Sequence, residues 1–264
     1  MSVGARLGVF LLVLLGTFGT AYAVGERLPG HSHSGLAHTH EPGSLVPPGY
    51  QSGNYQLVTD SIAQGSDGGR LATFHLEMAD GMRVTEFTEA HGALLHNIVV
   101  RPDLSGFQHL HPDIADDGSW QVAVTEPGQW HLVFEGTPTD APAPVVVSAN
   151  LDDEAVVEPV PLPEPDDDLV VDGLRIRRTG LNFTVTSEDG EAAEGLEPYL
   201  GQPAHLVALR QGDLSYVHLH PSDTDMTGMY MFGDRLPDAG TYRLFLQFGH
   251  DGDVLTVPFT VIQE

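Results

Sequence analysis

Residues 96–112 read HNIVVRPDLSGFQHLHP, and residues 205–221 read HLVALRQGDLSYVHLHP. Each begins with a short apolar run suited to a buried strand. Turn formers follow: Pro, Asp, Ser and Gly in the first, Gly, Asp and Ser in the second. Each ends in His-x-His-Pro, so His96, His109 and His111 correspond to His205, His218 and His220 at a constant offset of 109. Strand, turn and strand in this order make a hairpin, and strand side chains alternate between faces. His109 and His111 therefore point the same way. A hairpin centred near Asp103 pairs residues whose numbers sum to 207, which sets His96 opposite His111 with His109 diagonal. The turn at Arg210-Gln211-Gly212-Asp213 sets His205 opposite His220 in the same manner, with His218 diagonal. Opposed Cβ atoms lie about 4.5–5.5 Å apart and diagonal ones about 7–8 Å. Three imidazoles at such distances can converge on one ion. A register slip of one residue would turn His96 to the other face and abolish the cluster.

The repeat extends beyond the hairpins. Phe74, Asp80-Gly81, Gly92 and Arg101 match Phe183, Asp189-Gly190, Gly201 and Arg210 at the same offset of 109. Pro127-Gly128-Gln129-Trp130 matches Ala239-Gly240-Thr241-Tyr242 in residue type. The chain is thus an internal duplication. LATFHLEM and LNFTVTS alternate apolar and polar residues before an Asp-Gly turn. WHLVFEG, YRLFLQF, VVVSA and LTVPFTV read as later strands. About seven strands per roughly 100 residues predict an all-β chain of two tandem immunoglobulin-like or cupredoxin-like β-sandwich domains. The expected limits are residues 51–150 and 169–264.

The flanking segments differ in composition. Arg6 followed by an apolar run to Gly25 predicts an N-terminal hydrophobic helix, residues 1–25, serving as a signal peptide or a membrane anchor. Either role places the remainder outside the cytoplasm, secreted or anchored to the cell membrane. Residues 26–50, rich in Gly, Pro, Ser and His, predict a flexible tether. Residues 151–168, LDDEAVVEPVPLPEPDDD, predict an extended acidic linker.

Composition restricts the chemistry. The 264 residues carry a formal net charge of −26, with 11 basic residues, all arginine, and no cysteine. Such a surface repels phosphate backbones and anionic headgroups, which excludes nucleic acid as a partner and leaves membrane contact to the N-terminal segment alone. It attracts cations without specifying a site. The missing thiols exclude zinc–thiolate sites and the cysteine of a blue-copper centre. No nucleophile elbow, phosphate loop, dinucleotide fingerprint or His-Glu-x-x-His is present, and the chain is not expected to be an enzyme.

The expected ligands are therefore His96, His109, His111, His205, His218 and His220, for copper or zinc. His91, and His131 or His250, are candidates for a fourth ligand. Met226, Met229 and Met231 follow the second cluster and would favour Cu(I) as thioethers, although methionine is also ordinary core filler. His31, His33, His38 and His40 in the tether form two His-x-His pairs that would capture metal weakly.

The stretches HNIVVRPDLSGFQHLHPD…DGSW and AHLVALRQGDLSYVHLHP…AGTYRLFLQF resemble poorly characterised bacterial exported proteins of the heavy-metal-binding or secreted type. The resemblance spans most of residues 70–260. It implies export and a duplicated His-Leu-His-Pro β-domain. The architecture is also similar to cupredoxin-like copper proteins, from whose electron-transfer site the absent cysteine departs. The expected function is an extracytoplasmic metal scavenger or carrier, possessing metal ions and another metal-handling protein as partners. A non-catalytic cell-surface interaction module, with histidines that only hydrogen-bond across a hairpin, and a copper-dependent redox enzyme are the alternatives.

Overall fold

Alternation decides the outer strands, and unbroken apolar runs decide the inner ones. A computed structural model describes residues 45–65, 69–152, 155–222, 226–233 and 235–264. The expected N-terminal helix and the tether histidines His31, His33, His38 and His40 lie outside the described residues. Among the described residues no helix is long and apolar enough to cross a membrane.

The first half carries β1 (Gln51–Ser52), β2 (Tyr55–Gln64), β3 (Arg70–Met78), β4 (Phe87–Thr88), β5 (Leu95–Val100), β6 (Gln108–Leu110), β7 (Trp120–Val124), β8 (Trp130–Pro138) and β9 (Val145–Leu151). The second carries β10 (Asp168–Val171), β11 (Leu174–Thr179), β12 (Asn182–Ser187), β13 (Leu196–Glu197), β14 (His205–Arg210), β15 (Tyr216–Leu219), β16 (Met229–Met231), β17 (Gly240–His250) and β18 (Asp253–Gln263). Each half is sandwich-like. One sheet runs β1-β2-β3-β7 and faces β4-β8-β5-β6, with β9 on β8; the second half repeats this as β10-β11-β12-β16 and β13-β17-β14-β15, with β18 on β17.

In β7, Trp120, Val122 and Val124 point inward while Gln121 and Ala123 are exposed, the period-2 signature of a half-buried strand. The first core gathers Phe74, Trp120, Leu132 and Phe134, and the second Phe183, Tyr242, Leu244 and Phe259. Every residue of β5 is buried, and so is all of β14 but Arg210. Both faces of these strands are covered, because the two halves pack their inner sheets together. Leu95 and Val99 fill the first core, whereas Ile98 and Val100 join Val133, Val207, Leu209, Tyr216 and Phe245 in a third core between the halves. Phe107 stacks on Phe245 there, ring centres 3.8 Å apart and 8° from parallel.

The connecting segments are tied down. Val46, expected in the tether, exchanges backbone hydrogen bonds with Tyr216 at 2.9 and 3.0 Å. Gly49 accepts from the Ser148 amide at 2.7 Å. The end of the tether is therefore a strap laid on both halves, because Val46 supplies partners to an otherwise open edge of β15. The described residues of the acidic linker between β9 and β10 have no regular structure and are mostly exposed. They are nevertheless anchored: the Val160 amide donates to Asp103 at 2.6 Å, and Leu162 packs on the core between the halves.

Candidate metal centre

The hairpin registers are those the spacing predicts. Asn97 pairs Leu110, Ile98 pairs His109 and Val99 pairs Gln108, each summing to 207. Leu206 pairs Leu219 and Val207 pairs His218 in the second half. The Asp-Leu-Ser turn holds this register. The Asp103 carboxylate accepts from the Ser105 amide and hydroxyl at 3.0 and 2.6 Å, and Asp213 caps Ser215 in the same way at 3.2 and 2.7 Å. The extra Gly106 of the first turn has φ +66°, and a Cβ there would lie 2.7 Å from the Trp130 ring.

One potential ligand nitrogen from each of His96, His109 and His111 lies within 4.8 Å of the others, and His205, His218 and His220 repeat the arrangement. Each set could hold a metal ion. Second nitrogens fix the tautomers of His96, His205 and His109. His96 Nε2 donates to the Ala90 carbonyl at 3.1 Å, and His205 Nε2 donates to the Tyr199 carbonyl at 2.9 Å. Both carbonyls end tight turns in which His91 (φ 52°) and Leu200 (φ 50°) take left-handed backbone before a glycine. In the neutral imidazole, with that proton on Nε2, Nδ1 of His96 and of His205 is a bare lone pair.

His109 Nδ1 donates to Gln247 Oε1 at 2.7 Å, which leaves its Nε2 bare as well. That Nε2 lies 3.2 Å from His96 Nδ1, as does His111 Nε2. Two lone pairs thus face each other across 3.2 Å with no proton between them. In the second half His205 Nδ1 and His218 Nε2 are 3.1 Å apart. Nitrogens spaced by 3.1–3.2 Å, each about 2.0–2.1 Å from a shared ion, subtend roughly 100° at it, near the tetrahedral angle. His218 Nδ1 and His220 Nε2 are buried without a hydrogen-bond partner, and the nearest carboxylate to His218 Nδ1 is Glu135 at 3.8 Å.

Burial favours the neutral form of His109, His111, His205, His218 and His220. It pushes His111 and His205 down to about 4, helped at His111 by His96 and opposed at His205 by the Tyr199 carbonyl. His109 and His218 are held well below the ordinary histidine value by burial, with the facing imidazoles adding, and His220 is lowered likewise. Neutral imidazole is the metal-binding form.

The other candidate ligands fall elsewhere. His91 reaches the second triad, where its ring lies flat on His220 with ring centres 3.6 Å apart. His131 shares the sheet face of His96 but sits farther along β8, with Nδ1 on Asn150 at 2.8 Å. His250 ends β17 beside Asp251 at 3.7 Å, on the face that continues into the second core. Met229 and Met231 lie in β16, which pairs β12 in the outer sheet, and Met226 precedes them there. Their sequence proximity to His220 is undone because the chain crosses to the other layer.

Sequence reasoning missed Glu135 and Gln247. Glu135 pairs His96 across β5–β8, and Gln247 pairs His205 across β14–β17, so the two occupy equivalent places. Each reaches the middle histidine of the opposite half. Glu135 also accepts the Tyr216 hydroxyl at 2.8 Å, and burial raises its carboxyl above the usual range against that hydrogen bond. The signal was present: each is the one polar residue in an apolar run of a late strand, LVFEG and LFLQF.

Residues 172–264 match a family described as a domain of unknown function, DUF8832. No curated protein matches the chain. Among solved structures, the FN1-FN3 domains of chicken CNTN1 align over 84% of this chain and 67% of that one, at 10% identity and a TM-score of 0.19.

Proposed function

We propose that the protein is an extracytoplasmic transition-metal binder, a scavenger or carrier that takes copper in preference to zinc. The observation carrying this reading is the facing pair of unprotonated nitrogens, His96 Nδ1 and His109 Nε2, 3.2 Å apart, with His205 Nδ1 and His218 Nε2 spaced 3.1 Å apart in the second half. Lone pairs so placed repel each other until a cation sits between them. His96, His205 and His109 are oriented through their far nitrogens by two backbone carbonyls and an amide oxygen, the usual support of metal-bound histidine. Copper stands above zinc for such nitrogen sites. The buried location suits retention rather than turnover. Export rests on the N-terminal apolar run and the resemblance of the His-Leu-His-Pro repeats, which also support a cupredoxin-like reading of the sandwiches.

The test is a competitive titration of the full chain with Cu(II) and Zn(II). It is run in a background with His31, His33, His38 and His40 changed to alanine, and repeated with His109→Ala and His218→Ala combined. Loss of tight uptake in the double variant supports the assignment. Unchanged stoichiometry and affinity would overturn it and favour the interaction-module alternative.

A further inference from the structure

The two triads do not stand apart. Within a triad, ring centres lie 4.5 Å apart for His109–His111 and for His218–His220. Between triads, His96–His218 is 5.1 Å and His109–His218 is 5.4 Å. The six imidazoles form one continuous cluster on the facing inner sheets. The supports are exchanged: Gln247 of the second half holds His109 of the first, and Glu135 of the first half faces His218 of the second.

The equivalence is broken at one point. Position 135 is a carboxylate and position 247 an amide. An imidazole backed by a carboxylate is the more basic ligand, and a buried negative charge attracts a cation that a neutral amide does not. The second triad is the more enclosed at its third histidine: His205 is 0% exposed and His220 9%, while His218 is partly buried. In the first, His96 is 3% exposed and His109 partly buried like His218, but His111 is only partly buried.

We infer that the six histidines form a single dinuclear copper centre of two unequal sites, in which the His205–His218–His220 triad, backed by Glu135, fills first and tightly. The His96–His109–His111 triad, backed by Gln247, fills second and is the exchangeable site. The inference rests on the metal-binding reading above. An imidazole-bound ion sits roughly 3 Å from the ring centre. With ring centres of the two triads 5.1 Å apart, the ions are then within about 11 Å of each other. Two like charges at that separation in a protein interior repel, which further weakens the second ion.

The experiment is a Cu(II) titration of the full chain, with the four tether histidines changed to alanine, followed by affinity and electron paramagnetic resonance. One equivalent should give the spectrum of an isolated Cu(II) ion, and two equivalents a spectrum broadened or diminished by spin–spin coupling. Glu135→Gln keeps the shape and can still accept from Tyr216; it should weaken the tight class about 10–100-fold, towards the second. Gln247→Glu should tighten the second class. Two equal, uncoupled sites indifferent to Glu135→Gln would overturn the dinuclear inference while leaving metal binding intact. No uptake at the triads would overturn both.

Discussion

Tyr216 of the second half donates its hydroxyl to Glu135 of the first across 2.8 Å, joining the two inner sheets beside the histidines. Burial, reinforced by that carboxylate, holds the phenol well above its ordinary value, so it remains a donor throughout the accessible pH range. Tyr216→Phe removes the donor and strands the acceptor. Stability should fall by about 1.5–3 kcal/mol, the usual worth of a hydrogen bond to a charged group. Urea unfolding checks this as a lower midpoint with an unchanged slope.

Phe245 packs between the halves, 4% exposed and stacked on Phe107. Phe245→Ala should cost about 3–5 kcal/mol through lost burial and the void left behind. The damage falls on the seam rather than on either sandwich core. Calorimetry should therefore show one transition in the parent and two in the variant; a single transition with an unchanged midpoint would contradict the role assigned to this contact.

Protonation should loosen the metal-free protein. His111 and His205 titrate near 4 when folded, whereas an unfolded histidine titrates near 6.5. Between these values the unfolded chain binds more protons, so stability falls as pH falls. The contribution of this pair is complete above about pH 6.5, declines through the window, and levels off below about pH 4. Denaturation midpoints measured from pH 8 to 4 test the sign, and a midpoint rising with acid would refute it.

Metal removal gives a second stability readout. At free copper about 100 times the dissociation constant, a single site that binds only folded protein adds about 2.7 kcal/mol. Chelation should lower the melting temperature of the parent accordingly. It should leave the His109→Ala, His218→Ala double variant unmoved, once the tether histidines are replaced.

Gly106 offers a test of the hairpin itself. Its φ of +66° and the Trp130 ring 2.7 Å from a would-be Cβ both oppose any side chain. Gly106→Ala should destabilise by more than about 1 kcal/mol. Part of the loss should appear as altered metal affinity of the first triad only, since the turn sets the register of His109.

The pairing of His96 with the His109–His111 strand was legible because it is local. Alternation, a turn former at Asp103 and a fixed spacing leave one register that keeps all three rings on one face. The packing of the halves was not legible, since Ile98, Val207 and Phe245 look like ordinary strand residues until a second sheet covers them. Glu135 and Gln247 were overlooked for the same reason: each is separated from the ring it supports by about 80 residues or more and by a docking event. Met229 and Met231 misled because proximity along the chain says nothing about which layer of a sandwich a strand enters.

The exchange of supports across a pseudo-two-fold resembles an isologous dimer whose subunits have been joined. In a dimer of identical chains, any residue placed at one support is placed at both, and the two sites are equal by symmetry. Fusion lifts that constraint. Once each half has its own codon, a carboxylate can stand at position 135 and an amide at 247, and the molecule gains a direction that no symmetric pair could encode.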